Sequence, residues 1–253
     1  MNIVVFIKQV PDTDDVKWTE NNNIDRTNTE SILNPADRQA LETALNLKQR
    51  YGAFVSAVSM GPYKSLEILK EAIALGVDDA LLLSDSKFIG SDTCATSKVL
   101  AACIKEKFLN TNLILFGQSA LDGETAQTGP STAVRLSFPF INNVCEIKEI
   151  NENNIIVISE NESEKITYKV KLPAVLCINN SVYGYSIPKI EGYIRAHDYN
   201  YKIYNISELR LKEEETGVKG SPTYVSKVYK HNEYRNCRFI NTDELLNKIK
   251  EVY

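Results

Sequence analysis

The sequence predicts an α/β fold in which a mostly parallel sheet carries helices on both faces, gains an antiparallel flank and ends in an arm with one terminal helix. Three observations point there. Up to Leu136, short apolar runs alternate with helix-period patterns, as in a parallel sheet covered on both sides. Beyond Pro139, three strand-like runs follow with only Asn- and Glu-rich turns between them, which is hairpin chemistry. From Asn241 the chain is a capped amphipathic stretch, preceded by a charged, Gly-bounded segment.

The first strand is expected over residues 2–9, and a polar excursion from Asp12 to Ser31, with its Asn21-Asn22-Asn23 run, reads as a loop or small hairpin. Asn34 is placed as an N-cap, Pro35 at the first helical position and Asp37 in the first turn of a helix that runs to about Tyr51. Ala40, Leu41, Ala44, Leu45 and Leu47 form its inward stripe. A second strand spans 53–59. Met60-Gly61-Pro62 then turns into a helix from about Tyr63 that Gly76 ends. The third strand is 79–83, and Ser91-Asp92 cap a helix with Ala95, Val99, Ala102 and Cys103 inward. The fourth strand, Asn112–Phe116, opens into a Gly/Ser/Asp/Thr loop, Gly117–Gly129, before the helix-forming run 131–136.

The flank comprises strands 143–149, 154–159 and 165–171, followed by a buried strand 172–178 and a Tyr/Gly/Pro-rich segment 180–200. Residues 208–219 read as a linker, and 241–253 as a helix with Leu245, Ile249 and Val252 on one stripe. The expected division is therefore an α/β domain at 1–207 and a linker with an arm at 208–253. A single short helix cannot bury such a stripe alone, so it packs either on its own domain or on another chain.

Bulk properties exclude several function classes. With 43% apolar and 25% charged residues among 253, the composition is that of an ordinary globular protein. A net charge of −4 gives no field for gathering nucleic acid, and no basic run with interleaved aromatics occurs. No apolar run approaches the roughly 20 residues of a membrane span, and no signal-peptide pattern opens the chain. Cytoplasmic localisation is expected by default. Five widely spaced cysteines, Cys94, Cys103, Cys145, Cys177 and Cys237, are expected reduced and mostly buried. With only His197 and His231, no zinc or iron–sulfur spacing can be assembled, and no metal site is expected.

Catalytic devices are equally scarce. No G-x-G-x-x-G follows the first strand, and neither a P-loop nor a nucleophile elbow is present. Asp122 and Glu124 suit a capping loop better than an acid/base pair. Any redox chemistry must come from a cofactor.

The 117–129 loop is the strongest site. At the carboxyl end of a parallel strand, the following helix points unpaired N–H groups at the opening, which suits a phosphate. Gly117, Gly123 and Gly129 are expected to allow positive φ and close ligand approach, while Ser119, Thr125, Gln127 and Thr128 supply neutral hydrogen-bonding groups. Asp122 and Glu124 sit awkwardly beside a phosphate, and could cap N–H groups or bond a ribose hydroxyl instead.

The run Gln118-Ser-x-x-Asp-Gly-x-Thr-Ala-Gln-Thr-Gly-Pro130 resembles the adenine-nucleotide signature of electron transfer flavoprotein beta subunits. Three other stretches agree with it: Val5–Thr13, Asn34–Leu45, and Leu172–Val175 followed by Ile187–Ala196. The resemblance spans residues 1–200. It implies a Rossmann-like domain with a nucleotide at one sheet edge, where four groups of residues converge. These are Phe6, Ile7, Lys8 and Gln9; Asn34, Pro35, Ala36 and Asp37; Met60; and Gly117, Gln118, Ser119, Ala120, Leu121, Asp122, Gly123, Glu124, Thr125, Ala126, Gln127, Thr128 and Gly129.

Members of that family hold either AMP as a structural ligand or a second FAD that takes a hydride from NADH. The loop here is similar to the Asp-Gly-Asp-Thr-Ala-Gln-x-Gly-Pro form of the FAD-containing, electron-bifurcating members, with Glu124 in place of an Asp. FAD is therefore expected, with AMP as the alternative. The resemblance further implies an alpha subunit carrying its own FAD, with the tail reaching across to it. It implies NADH and ferredoxin as redox partners, and a flavin-dependent dehydrogenase of acyl-CoA or lactate type. Lys8, Asp92 and Thr93 are candidates for the shell that tunes the flavin. Ile187, Lys189 and Ile190 match the segment that docks the dehydrogenase, although many relatives have Pro-Arg where this chain has Tyr185-Ser186. Ile187 and Ile190 could equally be core residues. A rival reading keeps the fold but discards redox chemistry, making the chain a stress-protein-like regulatory module that binds ATP or AMP.

Overall fold

The computed structural model describes residues 1–12, 31–179, 181–224 and 240–252. In chain order its elements are β1 (Asn2–Phe6), β2 (Gln9–Pro11), β3 (Ser31–Leu33), α1 (Pro35–Tyr51), β4 (Phe54–Met60), α2 (Leu66–Leu75), β5 (Asp79–Leu83), α3 (Thr93–Lys107), β6 (Leu113–Gly117) and α4 (Thr128–Leu136). There follow β7 (Phe140–Ile150), β8 (Asn154–Glu160), β9 (Lys165–Lys171), β10 (Ala174–Ile178), α5 (Ile190–Asp198), β11 (Lys202–Tyr204), α6 (Gly217–Gly220) and α7 (Thr242–Val252). Among the described residues, nine strands form one sheet in the order β11-β5-β4-β1-β6-β10-β7-β8-β9, and β2 pairs separately with β3. From β11 to β7 all neighbours run parallel; β7, β8 and β9 are antiparallel.

Alternating strand residues serve two cores. Ile3 and Val5 of β1 pack towards α1 and α2, where Leu41, Leu47, Leu69 and Ile73 are fully buried. Val4 and Phe6 face the other way, against Val99, Cys103 and Ile104 of α3 and Ala133 of α4. The chain builds outward from β1 to β4 to β5, then crosses back to lay β6 on the other side of β1. The sheet's direction of winding thus reverses between β1 and β6, and ligands of open α/β sheets bind at such a point.

Several expectations are corrected. The first strand does not run from 2 to 9: it breaks at Ile7-Lys8, and Gln9–Pro11 leaves the sheet to pair with Ser31–Leu33. Most of the Asp12–Ser31 excursion lies outside the described residues, as do His231, Cys237 and the side chain of Val252. β7 begins at Phe140, because its first residues pair with β10 before the strand turns outward to β8. The 180–200 segment contains an unforeseen helix, α5, and the three residues of β11 add an edge strand beside β5.

The expected linker is folded onto the domain. Leu209 is buried, the Thr216 hydroxyl donates to the Lys87 carbonyl at 3.2 Å, and Ser221 and Thr223 bond Asp92. On α7, Leu245 and Ile249 are each 47% exposed. Cys103, Cys145 and Cys177 are buried and free, Cys94 is half-buried, and His197 is exposed.

Helix α5 rests on α2 through a glycine. A Cβ at Gly192 would lie 2.1 Å from the Ala74 carbonyl oxygen, and Arg195 donates to the Ile73 and Val77 carbonyls at the end of α2. Gly192→Ala should therefore cost about 1–3 kcal/mol through forced separation of the helices, read as a lower urea midpoint at unchanged slope.

Candidate functional site

At the switch point one carboxylate joins two strands. Asp37, in the first turn of α1, accepts from the Lys8 N–H at 2.8 Å through Oδ2 and from the Gly117 N–H at 3.0 Å through Oδ1. Lys8 follows β1 and Gly117 ends β6, so the two strand ends are tied to each other through α1. The approach is close: a Cβ on Gly117 would stand 2.4 Å from the Ala36 carbonyl carbon and 2.5 Å from the Asp37 nitrogen. Glycine here serves contact with α1, since its φ is ordinary.

Asn34 stands at the N-cap position of α1 as expected, but its side chain makes no capping bond to the helix. Its side chain turns to the loop instead, donating to the Ser119 carbonyl at 2.8 Å and accepting from the Leu121 N–H at 3.3 Å. The backbone N–H of Asn34 donates to the Lys8 carbonyl at 2.9 Å. Asn34 and Asp37 are both buried, and between them they anchor both sides of the opening.

The loop from Gln118 to Gln127 rises from this base, with 121–125 exposed. Its turn bonds run from the Gly123 and Glu124 N–H groups to the Ala120 carbonyl. The awkward Asp122 is neutralised, because the Lys8 ammonium donates to both of its oxygens at 2.6 and 2.7 Å. Contrary to the expectation for the three glycines, the left-handed residues are Glu124 at φ 47° and Ala126 at φ 52°. Each costs on the order of 1–3 kcal/mol, strain that persists where the surroundings hold a loop in a working shape. Gly123 would meet no atom within 4 Å if it bore a Cβ. Gly129 is a packing glycine, its added Cβ falling 2.5 Å from the Cys177 sulfur, and this buried thiol is pushed up to about 12 by desolvation.

Helix α4 begins at Thr128, three residues earlier than expected, so its first-turn N–H groups, which have no intrahelical acceptors, open directly onto the loop. Phe6 and Phe116 stack beneath it with centroids 4.9 Å apart. Gln9 ties in the start of α2, accepting from the Ser65 hydroxyl at 3.2 Å, while Met60 is half-buried at the end of β4.

Asp92 and Thr93 are not joined to this loop by any hydrogen bond among the described residues. The Asp92 carboxylate caps α3 at the Ala95 N–H and holds Thr223, and these bonds lower its pKa against a desolvation that would raise it. The sequence reading missed an amide cluster on the other side. Gln118 accepts from the Asn143 N–H at 3.4 Å, and Asn179 donates to the Asn143 side chain at 3.4 Å. Asn143 is left-handed at φ 51°, and an Asn-Asn pair in a strand was the available signal.

Ile187 and Ile190, open between docking and core from the sequence, are 88% and 76% exposed. Lys189 lies between them at the N-cap of α5.

Burial pushes the Asp37 carboxyl up from its ordinary 3.8 to about 7, outweighing the N–H groups of Lys8 and Gly117 and the Asn34 amide that favour its ionised form. A carboxyl whose pKa is higher folded than unfolded holds its proton more tightly when folded, so its contribution is present in acid and lost as pH rises through about 7. Between about pH 5 and pH 8 the wild-type chain should lose roughly 2–3 kcal/mol from this group. Asp37→Asn should lack that component, which urea titrations of both proteins at the two pH values would measure.

The profile of the electron transfer flavoprotein domain matches residues 22–192. The electron transfer flavoprotein beta subunits of Thermoanaerobacterium thermosaccharolyticum and Clostridium acetobutylicum are each 38% identical, over 89% and 90% of this chain and 86% and 87% of their own lengths. Subunit CarD of the caffeyl-CoA reductase–Etf complex of Acetobacterium woodii is likewise 38% identical, over 90% of this chain and 87% of its own. With the switch point, its loop and its helix N-terminus built as described, this chain belongs to the electron transfer flavoprotein family, among its beta subunits.

Proposed function

We propose that this chain holds FAD at the 117–129 loop and, paired with an alpha subunit bearing a second FAD, passes electrons between NADH, ferredoxin and a flavin-dependent dehydrogenase. The observation that carries the FAD reading is the loop's chemistry: a helix N-terminus, a neutralised Asp122 and an unencumbered Gly123 together accept a large anionic nucleotide. FAD, when bound, supplies hydride acceptance and electron transfer. The first-turn N–H groups of α4, with Ser119, Thr125 and Thr128, bind phosphate. Asn34 and Asp37 keep the opening in shape, and the Lys8–Asp122 pair prevents the loop from repelling the ligand. Ile187, Lys189 and Ile190 form the docking segment. The membership of its relative CarD in a caffeyl-CoA reductase–Etf complex favours a dehydrogenase of the acyl-CoA type.

The stand-alone regulatory module is set aside, because the family match extends across the antiparallel flank, which such a module does not need. No helix among the described residues is long and apolar enough to cross a membrane, in keeping with cytoplasmic action.

The complex of both subunits, purified without added nucleotide, should release about two flavins per heterodimer, and NADH should bleach one without any dehydrogenase. One flavin with stoichiometric AMP would sink the FAD reading. Gly123→Glu should leave the fold intact, since its side chain points into open space, yet lower the flavin content of the complex. As the domain's own contacts continue to Thr223, the arm is proposed to start at 225. Deletion of 225–253 should leave the domain folded and abolish the heterodimer in size-exclusion chromatography.

A further inference from the structure

The first two turns of α1 carry an ion pair, Arg38–Glu42, that neither the nucleotide site nor the sheet requires. Glu42 is 2% exposed. Its Oε1 accepts from Arg38 Nε at 2.9 Å and from the Ser186 N–H at 2.8 Å, while its Oε2 accepts from the Ser186 hydroxyl at 2.6 Å. Arg38 donates onward to the Ser186 carbonyl at 2.6 Å and to Glu71 at 2.6 Å, and its guanidinium lies 5.5 Å from the Tyr185 ring centroid. Every polar group of Ser186 is thereby engaged. Immediately upstream, Gln39 and Thr43 of the same helix bond Ser181. Downstream, α5 is locked on α2 by Gly192 and Arg195.

Between these anchors the chain presents Ile187 and Ile190 to solvent. Burying a carboxylate and a guanidinium beneath a surface segment adds little stability, since desolvation offsets the attraction. What it does supply is a single backbone shape for a segment with exposed apolar side chains. A docking segment already ordered avoids the entropy of being ordered on binding.

We propose that Arg38 and Glu42 are positioning residues that hold Tyr185–Ile190 in one shape for docking a flavin-dependent dehydrogenase. The inference rests on the reading that this segment docks the dehydrogenase, and it assigns Tyr185-Ser186, the departure from the Pro-Arg of many relatives, to a latch on α1.

The test uses the complex of both subunits with an acyl-CoA dehydrogenase that the wild-type complex serves. Glu42→Gln keeps the shape of the side chain and removes its charge, and Ser186→Ala removes only the hydroxyl. In Glu42→Gln, amide hydrogen exchange at 185–190 should quicken about tenfold or more, as loss of charge-assisted bonds implies. The KM for the dehydrogenase should rise by a similar factor at unchanged kcat and flavin content. Ser186→Ala should shift both in the same direction, by less. Unchanged exchange in both variants would overturn the latch. Faster exchange with an unchanged KM would instead overturn docking at this segment, and with it the purpose assigned to the latch.

Discussion

The Asp37 carboxylate is the point on which the architecture depends. A doubly wound sheet must open where its winding reverses, because the connections leaving β1 and β6 go to opposite faces. Left alone, the two strand ends would each carry an unpaired N–H into a crevice. Asp37 satisfies both, Lys8 on one side and Gly117 on the other, and does so from a helix whose N-terminus must sit nearly in van der Waals overlap with Gly117. Its high pKa follows from the same placement, since a group close enough to both strands is excluded from water.

The loop above that clamp is arranged to avoid electrostatic conflict. Helix α4 offers the positive end of its dipole, yet Asp122 and Glu124 lie in the approach. Pairing Asp122 with Lys8 removes one negative charge and draws the loop towards β1. The pair is partly exposed, so its value is geometric more than energetic. Backbone strain at Glu124 and Ala126 shows that the turn is held against local preference.

Helix α1 serves two surfaces in succession. Asn34 and Asp37 face the switch point. From the very next residue, Arg38, Gln39, Glu42 and Thr43 hold the irregular 181–186 segment. Because these residues follow each other at helical spacing, the loop edge and the exposed Ile187–Ile190 stretch are built on one rigid element. Exposed β-branched residues on a latched segment are a surface feature of a kind that single scattered apolar residues are not.

The sequence alone determined the parallel sheet, the order of its main helices and the loop that faces the site, since each rests on periodicities and turn residues read within a few neighbours. Residue roles that depend on distant partners were another matter. Asn34 looks like an N-cap from its neighbours, but only the packed loop offers it Ser119 and Leu121. Gly117 and Gly129 look like turn glycines and prove to be contact glycines, because what crowds them, Ala36 and Cys177, is remote in the chain. Helix α5 was illegible since just one of its residues, Ala196, is buried, so no inward stripe marks it, and β11 is too short to show a period. The joining of β7 to β10, the docking of 208–224 and the Arg38–Glu42–Ser186 latch were decided by tertiary structure, for each pairs groups that approach one another only after the sheet has formed.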